Sequence, residues 1–172
     1  MEYENNEFES ETFENVNFTG QSFKRSAFID CRFENCNLSN VDLTKTRLIN
    51  VSFNNCKMLG LNFPNCDTFT FSFNCNDCQI TLCVFSEMDL KNIIFDSCKI
   101  HDCDFYRTNL TKAVFDNSDL QNSRFKNCDL SSASFVNAIN YEINLNQNIH
   151  KKAKFSMPDA VSLLKSFDIE IE

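Results

Sequence analysis

Sixteen of the nineteen phenylalanines in this 172-residue chain fall on two combs of strict five-residue spacing. The first runs through Phe8, Phe13, Phe18, Phe23, Phe28, Phe33, Leu38, Leu43, Leu48, Phe53, Met58 and Phe63, weakens at Thr68 and closes at Phe73. The second runs from Ile80 through Phe85, Leu90, Phe95, Ile100, Phe105, Leu110, Phe115, Leu120, Phe125 and Leu130 to Phe135, breaks at Asn140, and returns at Leu145 and Phe155. A period of five matches neither the 3.6 of a helix nor the 2 of a flat strand, so the chain must turn a corner every five residues to keep one large side chain inward. An internal repeat of this kind is the signature of a solenoid.

Two residues ahead of most comb positions the side chain is small, as at Ser26, Cys31, Cys36, Val41, Cys56, Cys98, Cys103, Ala113, Ser118, Cys128 and Ala133. One large residue at the centre and one small residue beneath the corner are what a narrow, close-packed core requires. The remaining three positions of each five are mostly Asn, Asp, Ser, Thr, Lys and Arg and belong in water.

In Val41-Asp42-Leu43-Thr44-Lys45, Thr108-Asn109-Leu110-Thr111-Lys112, Ser118-Asp119-Leu120-Gln121-Asn122 and Cys128-Asp129-Leu130-Ser131-Ser132 the chain resembles the pentapeptide-repeat family. That family's consensus is a small residue, Asp or Asn, Leu or Phe, then two polar residues. The resemblance extends over about residues 6–155. It implies an all-β fold, a right-handed quadrilateral β-helix with four pentapeptides per coil. On that reading the combs supply about seven coils, a rod about 34 Å long at about 4.8 Å per layer. The β-helix is assigned to residues 1–155, and residues 156–172 to a short C-terminal capping helix and tail.

From Phe73 to Ile80 the spacing is seven, so a register reset of two residues is expected within 74–79. Just upstream, Pro64 removes a ladder donor, Thr68 is a poor core residue, and Phe69, Phe71 and Phe73 alternate like an ordinary strand. This is the one irregular stretch of the shaft, which makes Phe69, Asn74, Asn76 and Asp77 candidate partner-binding residues; a kink without function is the alternative.

A solenoid needs covers at its ends. Ser156 as N-cap with Asp159 three residues on, followed by Ala160, Leu163, Leu164 and Phe167 at i, i+3, i+4, i+7, predicts a short amphipathic helix. Together with Ile169 and Ile171 of the alternating tail, Leu163, Leu164 and Phe167 offer more apolar surface than one coil end covers. They are the expected homodimer interface.

No apolar run approaches 18 residues and no basic start precedes an apolar core, so neither a membrane span nor a secretory signal is expected, and the location expected is cytoplasmic. Nine of the ten cysteines sit in the small slot or in the irregular segment, which reads as reduced, buried thiols, with Cys36, Cys56, Cys78 and Cys98 stacked in one column. At most Cys75 and one neighbour are expected within reach of reagent. Cys75-x-x-Cys78, with Cys66 and Cys83 near, is a single pair without a second, and no metal is assigned to it. Two glycines cannot build a phosphate loop, and His101 and His150 have no partner at a catalytic spacing. No enzyme activity, catalytic residue, cofactor or metal is expected.

Charge is the remaining discriminator. The net charge of −8 includes Glu2, Glu4, Glu7, Glu9, Glu11 and Glu14, all ahead of the first basic residue, Lys24. Between residues 15 and 150 there are 14 acids and 12 bases, with no continuous acidic ladder on any face. The resemblance brings in relatives of the Qnr and microcin-immunity types, which are similar to duplex DNA in size and charge and protect DNA gyrase or topoisomerase IV. A nearly neutral shaft is a poor copy of a duplex. Two classes therefore stand: a rigid protein-interaction scaffold with unknown partner, which the charge favours, and a topoisomerase-protecting factor as the alternative. Glu7, Glu9, Glu11 and Glu14 are the candidate partner-binding acids, with no direct nucleic-acid or membrane contact expected.

Overall fold

Parallel pairing at a separation of 20 residues sets the architecture: Phe8 pairs with Phe28 and Phe28 with Leu48, while Phe13 pairs with Phe33 and Phe33 with Phe53. The computed structural model describes residues 3–167 and 169. Four five-residue units thus close one coil, and about seven coils stack into a parallel β-solenoid whose strand segments are two to four residues long. We number the faces by their inward residues. Face 1 carries Phe8, Phe28, Leu48, Leu90, Leu110 and Leu130; face 2 carries Phe13, Phe33, Phe53, Cys75, Phe95, Phe115, Phe135 and Phe155. Face 3 runs from Phe18 to Leu120 and face 4 from Phe23 to Ile143.

The corners explain why the chain can turn so often. Two residues after most inward residues the backbone enters the left-handed region, at 25 non-glycine positions and at Gly20 and Gly60. Fifteen of the 25 are Asn or Asp, the residues whose short polar side chains best tolerate that conformation. Asp or Asn one residue before the inward position has a separate task. Asp42 Oδ1, Asn109 Oδ1 and Asp129 Oδ1 accept from the N–H two residues on at 2.9, 3.1 and 2.9 Å, shaping each turn locally.

The small slot is chemically selective as well as narrow. Its hydroxyl or thiol donates to the carbonyl of the inward residue one coil below: Thr46 to Phe23 at 2.8 Å, Cys56 to Phe33 at 3.3 Å, Thr108 to Phe85 at 2.8 Å and Ser118 to Phe95 at 2.9 Å. Cys, Ser and Thr recur there because each fills a small volume and satisfies a buried acceptor. At the centre the rings stack coil upon coil, with Phe85, Phe105 and Phe125 at 4.9 and 4.8 Å and Phe95, Phe115 and Phe135 at 5.4 and 5.0 Å. Phe8 and Phe13 remain half-buried because no coil lies beneath them.

Three sequence expectations are corrected. The two extra residues do not lie in 74–79. Lys45 N–H still donates to the Asn65 carbonyl, 20 residues on, whereas Val51 pairs with Phe73 and Phe53 with Cys75, each 22 on, so the reset falls between residues 65 and 72. The segment Phe73–Asn76 is a regular strand in which Cys75 takes the central position and Phe73 the small slot. The comb misled because the ring of Phe73 still reaches the centre, 5.8 Å from Phe53 and 6.0 Å from Phe95. Second, Ile143 and not Leu145 follows Phe125, since the chain skips two residues after Asn140. Third, Asp159–Phe167 is a 3₁₀ helix. At three residues per turn its covered stripe is Ala160, Leu163 and Ser166, which leaves Leu164 and Phe167 turned outward.

All ten cysteines are buried and unpaired, Cys75 included, which removes the exception the sequence suggested. Burial pushes the Cys66 thiol up to about 12 and the Cys128 thiol up to about 11. In the column Cys36, Cys56, Cys78, Cys98, the Cys78 thiol accepts from the Cys56 N–H at 3.4 Å. Native labelling with a thiol reagent should therefore modify none of the ten, and denaturant should release all of them; rapid native labelling of Cys75 or Cys78 would contradict this packing.

Candidate interaction surfaces

The shaft presents ladders of polar side chains along its corners and faces. On face 2 the residue after each inward position is Glu14, Glu34, Asn54, Asn76, Asp96 and Asp116 in successive coils. Asn54 Nδ2 donates to Glu34 Oε1 at 2.8 Å, Asn76 Nδ2 to Asn54 Oδ1 at 3.0 Å, and Asn117 Nδ2 to Asp96 Oδ1 at 2.9 Å. Asn54 and Asn76 separate the pair Glu14 and Glu34 from the pair Asp96 and Asp116, with coils about 4.8 Å apart, and Asn117 donates to Asp96 from the adjoining corner. With Asp77 at the adjoining corner, this face holds five carboxylates over coils one to six against Arg32. The column is not a continuous acidic ladder, as the sequence reading expects, because Asn54 and Asn76 interrupt it.

Face 4, opposite, gathers Lys24, Arg25, Lys45, Arg107, Arg124 and Lys126. Arg124 holds Asp104 through two bonds of 3.0 and 2.6 Å, and Arg107 and Arg124 stand 5.3 and 5.9 Å from the Tyr106 ring centroid. Burial opposes ionisation of Asp104, yet the Arg124 bonds and charge hold its carboxyl below the usual range. On face 3, His101 Nε2 lies 3.1 Å from Asp119 Oδ2, and Asn140 Nδ2 donates to Asp119 Oδ1 at 2.9 Å. There too burial works against the carboxylate and the Asn140 and His101 contacts prevail, lowering its pKa. The pair was missed because it joins adjacent coils 18 residues apart; the 20-residue coil length is the signal that would have found it. Among the described residues no group of three His, Cys, Asp or Glu side chains is arranged to hold a metal ion.

The candidate acids Glu7, Glu9, Glu11 and Glu14 are all exposed on the first coil, and Glu7 accepts from Arg47 Nη2 at 2.9 Å. Glu7 and Glu9 lie on face 1 and Glu14 on the adjoining face 2. Phe69 is 92% exposed in the segment that carries the extra residues. Asn74, Asn76 and Asp77 belong instead to regular ladder and corner positions: Asn74 Oδ1 accepts from the Ile94 N–H at 3.1 Å, and the Asp77 N–H donates to the Asp96 carbonyl at 3.1 Å. The structure therefore places Phe69 in the irregular segment and these three in the regular ladder, although the sequence grouped them.

At the C-terminal end Leu163 is 8% exposed, whereas Leu164, Phe167 and Ile169 are 38, 50 and 53% exposed. Ile171 lies outside the described residues. A groove of about 700 Å³ runs between the last coil and the 3₁₀ helix, bounded by Asn140, Tyr141, Asp159 and Val161. Burial, with Asp159 near, pushes the Tyr141 hydroxyl up to about 12. No helix among the described residues is long and apolar enough to cross a membrane.

Comparison with known proteins agrees with this geometry. The sequence matches the family described as "Pentapeptide repeat region" over residues 6–80 and "Pentapeptide repeats (8 copies)" over residues 74–111 and 108–139. No curated protein matches it by sequence. Among solved structures it is similar to a trypsin-treated form of QnrB1, a plasmid-mediated fluoroquinolone resistance protein, with 14% identity and a TM-score of 0.68 over 99% of this chain and 93% of that one. A second trypsin-treated form of QnrB1 gives 17% identity and a TM-score of 0.54 over 99% and 92%. At such identities the likeness is one of fold. Repeat, coil length and family match together establish that this chain belongs to the pentapeptide-repeat family.

Proposed function

We propose that the chain is a non-enzymatic, rigid interaction scaffold whose face 2 receives a basic surface of a partner protein. The observation that carries this reading is the acid column Glu14, Glu34, Asp96 and Asp116 with the carboxamides bonded beside it, held on the parallel ladder of face 2. Fixed charges of one sign steer a complementary partner and contribute more to encounter and selectivity than to raw affinity.

Protection of DNA gyrase or topoisomerase IV by DNA mimicry is the second reading, and the same face is what favours it. Five carboxylates over six coils of about 4.8 Å give about one charge per 6 Å, against about one per 3.4 Å along each strand of a duplex. Mimicry at that density should be salt-sensitive. The deciding assay is gyrase supercoiling with and without a quinolone, comparing the native chain with a variant carrying Glu14→Gln, Glu34→Gln, Asp96→Asn and Asp116→Asn. Protection by the native chain and its loss in the variant supports the topoisomerase reading. Absence of protection by either, with the native chain alone capturing a basic partner from cytosol, supports the scaffold. Equal protection by both proteins sinks the role given to face 2.

The exposed Leu164, Phe167 and Ile169 support a homodimer joined end to end, because an apolar remainder at a coil end is stabilised by covering it with its own copy. Sedimentation should give a dimer for the native chain and a monomer for Leu164→Glu/Phe167→Glu. A native chain that sediments as a monomer at tens of micromolar rules the interface out.

A further inference from the structure

The fourth coil has no strand on face 1, and the consequence is an open strand edge in the middle of the shaft. Between coils five and six this face is fully laddered: Leu90 N–H donates to the Asn109 carbonyl at 2.8 Å, Asn92 N–H to Thr111 at 3.0 Å, and Asn109 N–H to Met88 at 2.9 Å. Toward coil four the equivalent groups of coil five are the Asp89 N–H and the carbonyls of Asp89 and Lys91, and among the described residues they meet no backbone partner.

The extra residues are the cause. The segment is tied to coil three at both ends, Asp67 N–H to the Thr46 carbonyl and Ser72 N–H to the Leu48 carbonyl, each at 2.9 Å. Thr68, Phe69 and Thr70 between them are exposed and make no ladder bond to coil five. Behind them remains a cavity of about 190 Å³, with Asn50, Phe71 and Ser72 on one side and Asp89, Leu90 and Lys91 on the other.

We propose that this interrupted rung is a docking slot for an extended polypeptide segment of a partner protein, which adds the missing strand to face 1. The chemistry of the edge selects the occupant: one acceptor is needed for the Asp89 N–H and two donors, two residues apart, for the carbonyls of Asp89 and Lys91. An extended peptide presents that set along one edge. The volume is below the roughly 300–1,000 Å³ of a small-molecule site but admits a side chain. Leu90 and Phe71 line the inner wall, so the inward residue of the occupant is apolar, as at every other rung of the face. The slot rests on the scaffold reading only in assigning the occupant to a partner.

The test is backbone amide hydrogen exchange by NMR on the full chain, read at Asp89 and at Asn109, with a peptide copying residues 45–51 as the probe. That peptide is the face 1 strand of coil three, and its Leu48 and Asn50 N–H groups would meet the two open carbonyls. In the free protein the Asp89 amide should exchange about 100-fold faster than that of Asn109, and saturating peptide should slow it by about tenfold. The same peptide N-methylated at the residues copying Leu48 and Asn50 should leave it fast. A chain lacking Thr68 and Phe69 restores the 20-residue spacing, and its Asp89 amide should be slow without peptide. Slow exchange at Asp89 in the free native chain at every concentration overturns the proposal, because the chain's own segment then fills the slot. Protection that grows with protein concentration overturns it in favour of a second copy. Equal protection by the methylated peptide overturns strand pairing. None of these readings depends on gyrase or on face 2, so the slot and the function proposed above fail separately.

Discussion

Phe105→Ala should lower stability by about 3–5 kcal/mol, while Lys112→Ala changes it by less than about 0.5 kcal/mol. Phe105 is fully buried, its ring stacked 4.9 Å from Phe85 and 4.8 Å from Phe125, with Phe115 edge-on at 5.8 Å. Phe105 shares its coil with the ring of Phe95, 6.3 Å away, and the side chains above and below are fixed by their own ladders and cannot collapse into the space. Lys112 stands at a corner with φ 59°, exposed, and alanine meets the same backbone cost there as lysine. Urea melts of the two variants give the comparison; equal midpoints would mean that the inward register is misassigned.

The second large effect is expected at the inverted pair of the fourth coil. Cys75 occupies a central position that in neighbouring coils of face 2 is Phe53 or Phe95, and Phe73 fills the resulting space from the small slot, stacked 5.1 Å from Phe63. Cys75→Phe alone therefore overpacks the coil and should cost about 1–3 kcal/mol. Phe73→Ala alone leaves a void and should cost about 3–5 kcal/mol. The double variant restores the large-centre, small-slot order of the other coils and should be more stable than the sum of the two by at least about 1 kcal/mol. Strict additivity would show that the two side chains do not share one space.

The inversion also shows where reading the sequence reaches its limit. Phe73 keeps the five-residue step of the first comb past the weak position at Thr68, so periodicity places it at the centre, and the seven-residue step to Ile80 then locates the reset after it. In the structure the reset lies before it, because Phe73–Asn76 pairs in register with Val51–Asn54 and the surplus is expelled between residues 65 and 72. A spacing states that two residues are extra; only ladder energetics decide which residues leave the ladder. The exposed Phe69 was correctly singled out as irregular, while Asn74, Asn76 and Asp77 were attached to it by the same misplaced reset.

The short C-terminal helix is present, and only its period departs from the sequence pattern. The spacing of Ala160, Leu163, Leu164 and Phe167 fits an α-helical stripe, but nine residues docked on a coil end wind as 3₁₀, and the period of three hides Leu163 while exposing Leu164 and Phe167. Packing against the last coil, absent from any local pattern, chose the period.

What the sequence by itself determined is everything that repeats. A large residue every fifth position, a small one two before it and Asn or Asp at most corners leave one arrangement in which all large groups are inward and most turns fall on residues that tolerate the left-handed region, which is why coil length, core and family were legible. What only the tertiary structure decided is everything that compares different coils. The acid column of face 2 and the His101 and Asp119 contact arise between residues about 20 apart in neighbouring coils, and the unpaired edge at Asp89 and Lys91 depends in addition on where two surplus residues were expelled. A two-residue shift leaves every local preference satisfied, so its position was set by the cooperative pairing of whole coils, which no single repeat encodes.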